Sequence, residues 1–205
     1  MRRKSFELEN QRRTEILDAC AKLYEEKGFK DMTVKDISHE TSFSRPSIYN
    51  YFETKEEIFL GLLGREAEEW INSLNGLLDC EDAVPIKELT GRIADTLAER
   101  RVFLKILAMN IYEIEDNSRM ERLMEYKEIF REIYGKFGEI LRKFIPGITD
   151  ERVGRIENVF FPFLNGIYPY AYPTEKQMEA MDRIGFSYEA QSIRNLVCSF
   201  LEEII

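Results

Sequence analysis

The sequence predicts an all-α protein with two domains. Its 205 residues include only 6 prolines and 11 glycines, and no stretch sustains the period-two alternation of apolar and polar residues that is typical of β-strands. Apolar residues instead recur at three- and four-residue steps along most of the chain, which is the spacing of one helix face. With 44% hydrophobic and 33% charged residues, the composition is that of an ordinary soluble globular protein.

The first three helices are short and follow each other closely. The first has Ile16, Ala19, Cys20 and Leu23 on one face, and we expect Gly28 to end it as a C′ residue. Thr33 and Asp36 have the spacing of a capping box at the start of the second helix. After a tight turn, Ser44 is expected to cap the third helix, whose first turn tolerates Pro46.

Further helices fill the rest of the chain. A second capping box at Thr54 and Glu57 opens a long helix that runs to about Leu78. The pattern breaks near Pro85 and resumes afterwards, and Pro162 is expected to kink the helix that contains it. The remaining predicted helices are Ile86–Ala98, Arg101–Tyr112, Met120–Phe144, Thr149–Tyr172 and about Ser187–Ile205, with Pro146 and Gly147 ending the third of these.

Two short helices joined by a tight turn predict a helix-turn-helix, a motif that places its second helix in the major groove of DNA. Its small core is predicted to consist of Val34, Ile37, Phe43 and Ile48, packed over Ile16, Cys20 and Leu23, with Phe52 also inside. The opposite face of the third helix then carries Arg45, Ser47, Tyr49 and Asn50. Arg and Asn can pair with base edges, and hydroxyl groups suit phosphate oxygens. Tyr51 either joins this face or packs on the first helix.

Charge is divided unevenly along the chain. Residues 1–55 contain 11 Lys/Arg and 10 Asp/Glu, a net charge of +1, whereas the remainder contains 18 basic and 28 acidic residues, a net charge of −10. The N-terminal part can therefore contact a polyanion although the whole chain carries −9. The basic residues Arg2, Arg3 and Lys4 form either a disordered tail or an arm that reaches the minor groove.

The N-terminal third resembles the DNA-binding domain of TetR-type transcriptional regulators. The resemblance extends over residues 9–69 and rests on "EKGF" at the end of the first helix, "TVKDI" in the second, and the run from Ser44 to Glu57 that contains "IYNYFETKEE". Ser42 stands where many members have a glycine. The resemblance implies that Tyr49 and Lys55 contact phosphates, and that Arg45, Ser47 and Asn50 read or flank bases. The full set of candidate DNA-binding residues is Thr33, Ser44, Arg45, Ser47, Tyr49, Asn50, Tyr51 and Lys55.

The same resemblance implies that residues 70–205 form a helical domain for effector binding and dimerisation. It further implies that the last two helices, Thr149–Tyr172 and about Ser187–Ile205, pair with their symmetry mates as a four-helix bundle. The last helix has a broad apolar stripe that is predicted to face both its own core and a partner copy or, alternatively, to pack only internally: Ile193, Leu196, Val197, Phe200, Leu201 and Ile204. Aromatic residues are dense in this domain, and they are predicted to line a cavity or, alternatively, to form ordinary core. The candidate lining residues are Phe103, Met109, Tyr112, Phe130, Tyr134, Phe137, Phe160, Phe163 and Tyr168.

The sequence argues against an enzyme and against a bound metal or cofactor. His39 is the only histidine, and Cys20, Cys80 and Cys198 are too far apart for a metal-type spacing or a disulfide framework. No phosphate-binding glycine loop or dinucleotide fingerprint is present. The longest apolar run is interrupted by polar residues and prolines, so we expect no membrane span. The basic N-terminus has no apolar core after it, so we expect no signal peptide, and the odd number of widely spaced cysteines fits a reducing cytoplasm.

The predicted function is therefore a ligand-responsive transcriptional regulator, most simply a repressor, that binds double-stranded DNA as a homodimer. Its effector is expected to be a neutral hydrophobic molecule. A lipophilic cation is the second choice, because Glu113, Glu121 and Glu125 lie near the candidate lining. The alternative is a helical interaction module that regulates through a protein partner, which the modest charge of the N-terminal segment leaves open.

Overall fold

The fold is described by a computed structural model that covers residues 2–80 and 84–205. Within these ranges all regular elements are helical, which confirms the predicted all-α class. Glu81, Asp82 and Ala83 of the predicted break, and the side chains of Arg2, Arg3 and Lys4, lie outside the described part. The helices are α1 (Arg2–Glu26), α2 (Val34–His39), α3 (Arg45–Ile48), α4 (Lys55–Leu78), α5 (Ile86–Ala98), α6 (Arg101–Asp116), α7 (Met120–Phe144), α8 (Asp150–Leu164), α9 (Tyr168–Ala171), α10 (Glu175–Arg183) and α11 (Ile193–Ile204), with a 3-10 turn at Phe29–Asp31.

The predicted capping box at Thr33 and Asp36 is present with both of its hydrogen bonds, and the one at Thr54 and Glu57 has only one of the two. The Asp36 N–H donates to the Thr33 hydroxyl at 3.2 Å, and the Thr33 N–H donates to the Asp36 carboxylate at 2.9 Å. At the start of α4 the Glu57 N–H donates to the Thr54 hydroxyl at 3.1 Å. The Glu57 carboxylate, however, accepts from the N–H of Glu53. The reciprocal bond of the second box is thus displaced by one residue.

Two other helix boundaries differ in mechanism from the prediction. Gly28 has φ −76°, so α1 ends without the left-handed residue that a C′ glycine normally supplies. Ser44 does precede α3, but its hydroxyl pairs with the Ser47 hydroxyl at 3.1 Å and caps no backbone N–H. Gly147 does have a positive φ of 77°, and α7 ends before it as predicted.

The C-terminal region contains more breaks than the sequence suggested. The predicted helix Thr149–Tyr172 is two helices, because α8 ends at Leu164 and the chain turns at Asn165 and Gly166 before the short α9. Helix α10 was not predicted, although Thr174 and Gln177 form a complete capping box at its start. Helix α11 begins at Ile193 rather than near Ser187, because the Ser192 side chain accepts from the Asn195 N–H and caps it there.

The first of two compact units contains the residues up to Glu66 together with Asn110–Ile129. Most of its predicted core is buried, including Ile16, Ile37, Ile48 and Phe52. Leu23 and Phe43 are only half-buried. Tyr24 and Phe29, which were not among the predicted core residues, are buried, and both pack edge-on against Phe59, with ring centroids 4.9 and 4.8 Å away.

The second compact unit contains Ala67–Met109 and Phe130–Ile205. Its largest buried side chain is Trp70, whose indole N–H donates to the Thr96 hydroxyl at 3.0 Å. Helix α11 packs along α5, and one of its faces is buried in this unit. The domain boundary predicted between residues 69 and 70 remains a prediction. The compact units differ from the predicted domains mainly because Asn110–Ile129 belongs to the first unit.

Candidate nucleic-acid interface

The candidate reading segment comprises α3 and the turn that follows it, Arg45–Tyr51. Ile48 is fully buried and anchors the segment to the first unit. Its carbonyl accepts the N–H groups of both Tyr51 and Phe52, at 2.9 and 3.1 Å. The helical course therefore continues briefly beyond α3, and it carries the side chains of Tyr49 and Asn50 outward, where both are exposed.

Arg45 and Tyr49 form a paired, exposed group on this segment. The Arg45 guanidinium donates to the Tyr49 hydroxyl through Nε at 3.3 Å and Nη2 at 3.0 Å, and its central carbon lies 5.6 Å from the centre of the tyrosine ring. The two residues are four positions apart, which is the neighbour spacing on a helix surface. Guanidinium and amide groups at Arg45 and Asn50 have the donors and acceptors that base edges require.

The turn before α3 is held by α1. The Ser42 N–H and hydroxyl both donate to the Glu15 carboxylate, at 2.5 and 3.1 Å. Among the described residues no non-glycine has a positive φ, so Ser42 replaces the common glycine without backbone strain. Glu15 was missed at the sequence level, because its partner is 27 residues away and no local pattern marks such a contact.

Tyr51 packs against α1 rather than joining the exposed face. It is half-buried, and its hydroxyl accepts a hydrogen bond from Arg12 at 3.1 Å. With Leu8, Glu9 and Asn50 these two residues line a cleft of about 330 Å³ beside the reading segment. Arg12 is thereby placed next to the candidate interface, although it was absent from the predicted set.

Thr33 and Lys55 already have partners within the fold. The Thr33 side chain is exposed but caps α2. Lys55 is half-buried, its ammonium donates to the Phe29 carbonyl at 2.8 Å, and it lies 3.9 Å from the centre of the Phe29 ring. An ammonium group has three N–H donors, so Lys55 could still donate to a phosphate while it donates to the Phe29 carbonyl in the 3-10 turn.

Arg119 is the second residue that sequence reasoning missed. Its backbone N–H, Nε and Nη2 all donate to the carboxylate of Glu57, and Nε lies 2.5 Å from Oε1. Burial alone would raise the pKa of Glu57, but the hydrogen bonds from Arg119 and from the Glu53 N–H outweigh it and lower the pKa to about 2. The carboxylate is therefore ionised at neutral pH. The two residues are 62 positions apart, so no local sequence signal could reveal the pair.

Five of the nine candidate effector residues come together in an aromatic cluster in the second unit. Tyr134 stacks on Phe161 with centroids 3.7 Å apart, and Phe137 stacks on Phe160 at 4.5 Å. We call this group the aromatic cluster. It consists of Trp70, Phe103, Phe130, Tyr134, Phe137, Phe160 and Phe161. Its rings contact one another, which is the geometry of ordinary core packing.

The other four candidates lie apart from the aromatic cluster. Met109 and Tyr112 are exposed, Tyr112 to 85%, and Tyr112 belongs to the first unit. Phe163 stacks on Phe200 at 4.0 Å, with its ring plane only 4° from parallel. Tyr168 is buried and tilts against Tyr172. The predicted lining is therefore not one surface.

A separate apolar groove of about 690 Å³ lies in the second unit, and none of the nine candidates lines it. The Tyr188 hydroxyl donates to the Tyr170 carbonyl at 2.8 Å across one end. The groove is lined by Pro169, Tyr170, Pro173, Gln177, Ala180, Met181, Phe186 and Tyr188.

The predicted dimer stripe on α11 divides into two faces. Ile193, Val197 and Leu201 are buried within the chain, four residues apart, as one helix face requires. Leu196, Phe200 and Ile204 are half-buried and form the adjacent face. The half-buried face, extended by Phe163 of α8 through its stack on Phe200, is called the outer apolar face below.

Across the part of the chain that the structure describes, no helix combines the length and apolar character needed to cross a membrane. The described residues also include no cluster of three or more His, Cys, Asp or Glu side chains arranged to hold a metal ion.

A capped helix-turn-helix with an exposed arginine, tyrosine and asparagine, followed by a helical second unit, defines a helix-turn-helix regulator of transcription. Comparison with known families makes this specific. Residues 16–62 match the family described as "Bacterial regulatory proteins, tetR family", and residues 64–199 match "Tetracyclin repressor-like, C-terminal domain". The chain belongs to the TetR family of transcriptional regulators, and it is accordingly not an enzyme.

Individual relatives are distant. The chain is 28% identical over 167 residues to the uncharacterised HTH-type transcriptional regulator YfiR of Bacillus subtilis, covering 78% of each protein. It is 27% identical over 127 residues to the HTH-type transcriptional repressor KstR2 of Rhodococcus jostii, covering 60% of this chain and 61% of that one. The crystal structure of Bacillus subtilis FadR in complex with stearoyl-CoA superimposes with a TM-score of 0.59 at 17% identity, covering 94% and 97% of the two chains. That likeness concerns the fold alone.

Proposed function

We propose that this protein is a ligand-responsive repressor that binds an inverted-repeat operator as a homodimer. Family membership establishes a transcriptional regulator of the TetR type; the operator, the dimer and the effector are our proposal. The single observation that carries the proposal is the exposed group Arg45, Tyr49 and Asn50 on a segment anchored by the buried Ile48. KstR2, which shares part of the sequence, is named a repressor.

The roles of the individual residues follow from their chemistry. Arg45 and Asn50 are proposed to read base edges, because each can make two hydrogen bonds to one base. The hydroxyls of Ser44, Ser47, Thr33 and Tyr49 are proposed to contact phosphates. Lys55 is proposed as a weaker phosphate contact, because its ammonium is shared with the Phe29 carbonyl. Tyr51 is proposed to support the segment by packing on α1.

The dimer is proposed to form through the outer apolar face. Leu196, Phe200 and Ile204 are half-buried within one chain, and a second copy related by a two-fold axis would cover what remains exposed. Two symmetric reading segments then require two symmetric half-sites, which is the reason for expecting an inverted repeat. A regulator that binds the chromosome of a bacterium acts in the cytoplasm, which we propose as its location.

The effector is proposed to be a mostly apolar molecule that binds in the second unit at the aromatic cluster, whose rings contact one another and would have to separate to admit it. A sugar or nucleotide would leave its polar groups unpaired among these rings. The same fold binds a fatty acyl thioester in the FadR complex with stearoyl-CoA, which makes long-chain acyl compounds a sensible first class to test. To control DNA binding, the effector must favour one spacing of the two reading segments over the other.

The test is selection of bound sequences from random duplex DNA by the full-length protein, followed by affinity measurements at fixed salt. We expect the selected sites to be inverted repeats. Arg45→Ala and Asn50→Ala should relax the base preference, with a loss of about 1–3 kcal/mol of binding free energy at the affected base pair. Lys35→Ala, an exposed lysine on α2, serves as the matched charge control. Selection of no sequence, or of asymmetric sites only, would contradict the dimeric DNA-reading function and favour the interaction module.

A further inference from the structure

The turn between α6 and α7, Asn117–Arg119, contacts the chain just after the reading segment. We call the three residues Phe52–Thr54, which lead from the reading segment into α4, the exit turn. The Thr54 hydroxyl donates to the Asn117 carbonyl at 3.3 Å. Arg119 forms an ion pair with Glu53 at 2.8 Å and a second one with Glu57. All of these residues belong to the first unit.

The Glu57–Arg119 pair differs from the ion pairs on the surface. The Glu57 side chain is 0% exposed, and its two oxygens accept four N–H groups: three from Arg119 and one from the backbone of Glu53. Two planar guanidinium donors, Nε and Nη2, engage separate carboxylate oxygens, a geometry that lysine cannot reproduce. A buried carboxylate that loses its charged partner destabilises the fold. The Glu57–Arg119 pair therefore favours the arrangement in which the exit turn and the α6–α7 turn are in contact.

A continuous set of bonds leads from Arg119 to the reading segment. Arg119 fixes the Glu57 carboxylate, and that carboxylate accepts the Glu53 N–H at 2.8 Å. Glu53 directly follows Phe52, which is buried and whose N–H donates to the Ile48 carbonyl at 3.1 Å. Ile48 is the residue that anchors Arg45, Tyr49 and Asn50.

We propose that Arg119 is a positioning residue for DNA recognition, which acts through Glu57 and the exit turn to hold the reading segment in its binding geometry. The inference rests on the proposed operator-binding function. Arg119 lies outside the residues that match the DNA-binding family domain, 16–62, and among the described residues its hydrogen bonds and ion pairs are with Glu53 and Glu57 rather than with a side chain proposed to read bases. Its effect is therefore on where those side chains lie.

Two simpler roles for Arg119 make different predictions. As a direct phosphate contact, Arg119 would contribute equally to all duplexes, and its loss would lower the salt dependence of binding by about one counterion. As a purely stabilising residue, it would change the unfolding midpoint while leaving the affinity of the folded protein unchanged. As a positioning residue, it changes the preference for operator over random DNA and leaves the salt slope unaltered.

The experiment measures the affinity of the full-length protein for its selected operator and for a random duplex of equal length, at several salt concentrations and well below each unfolding midpoint. The variants are Arg119→Lys, Arg119→Ala and Glu57→Gln. Arg122→Ala is the matched control, because Arg122 lies three residues after Arg119, in the first turn of α7, and forms its ion pair with Glu125 of the same helix, at 2.8 Å. We expect each test variant to lose about tenfold in operator affinity, within the range typical of coupling between sites. We expect less than twofold loss on random DNA, an unchanged salt slope, and a control that behaves as wild type.

Several results would overturn the inference. Equal losses on both duplexes with a shallower salt slope would make Arg119 a phosphate contact. Unchanged operator affinity in folded variants, or failure of even the conservative Arg119→Lys and Glu57→Gln proteins to fold, would assign the pair to stability. A wild-type protein that selects no operator would instead refute the proposed function, so the two failures are distinguishable.

Discussion

Replacing Phe200 by glutamate is expected to separate the proposed dimer while leaving the chain folded. Phe200 is half-buried on the outer apolar face and stacks on Phe163. Within one chain the substitution removes that stack, at a cost of about 0.5–1.5 kcal/mol, and also the area that the ring buries in its own chain, at a further cost of about 1–1.5 kcal/mol. A folded domain typically has about 5–15 kcal/mol of stability, so most molecules should remain folded.

The cost to the dimer is larger. Removing the part of a phenylalanine that a partner would cover forfeits about 1–1.5 kcal/mol, roughly half the value for full burial of the side chain. Placing a carboxylate in an apolar contact adds about 1–3 kcal/mol. A two-fold axis presents each substitution twice, so the total is about 4–9 kcal/mol. Since every 1.4 kcal/mol is tenfold, the dimer dissociation constant should rise by about a thousandfold or more.

Sedimentation velocity across a range of protein concentrations measures this change directly, with circular dichroism as the check on folding. Ser199→Glu is the matched control: it adds the same charge to the same helix at the adjacent, exposed position. We expect the Phe200→Glu protein to sediment as a monomer and to lose operator binding, although no DNA contact was changed. A folded Phe200→Glu protein that dimerises as tightly as wild type would show that the interface lies elsewhere.

Three further outcomes are expected. Thr33→Ala should lower the free energy of unfolding by about 1 kcal/mol through loss of the α2 cap, and Thr33→Ser should not; equal urea midpoints would contradict this. The pKa of Glu57 is lowered to about 2, so its contribution to stability is present above pH 4.5 and is lost as the pH falls towards 2; wild type should therefore lose more stability than Glu57→Gln over that range in urea titrations. Tyr134→Ala should alter the response of operator binding to an apolar effector while Phe186→Ala does not, and the reverse result would move the effector site to the groove near α10.

Local patterns in the sequence predicted the helix-turn-helix well because its determinants are close together along the chain. Thr33 and Asp36 are three residues apart, and a capping box requires only that spacing. Buried apolar positions such as Ile37 and Ile48 follow from helical periodicity in the same way. The partner of Ser42, by contrast, is Glu15 in another helix, and no periodicity links the two.

The C-terminal half was harder to predict for a different physical reason. Aromatic residues are equally suited to line a cavity and to fill a core, and only the three-dimensional arrangement shows that Tyr134 and Phe161 stack on each other. The broad stripe on α11 was predicted as one surface, but a helix can present two adjacent apolar faces. Val197 lies on the inner one and Phe200 on the outer one. Thr174 and Gln177 do have the spacing of a capping box for α10. The prolines and glycines on either side of this helix interrupt the apolar periodicity by which the other helices were predicted.

The contacts of Glu57 bear on what constitutes a DNA-binding module in this chain. The family match ends at residue 62, yet the buried carboxylate of Glu57 receives three of its four hydrogen bonds from Arg119. A fragment that ends near residue 69 would keep every side chain proposed to touch DNA and would leave that carboxylate with only the Glu53 N–H. It would then have to protonate or become hydrated, and either change releases the exit turn that follows the reading segment. If our proposal is correct, the geometry of recognition depends on a residue from the α6–α7 turn, and that turn belongs to the same compact unit as the reading segment.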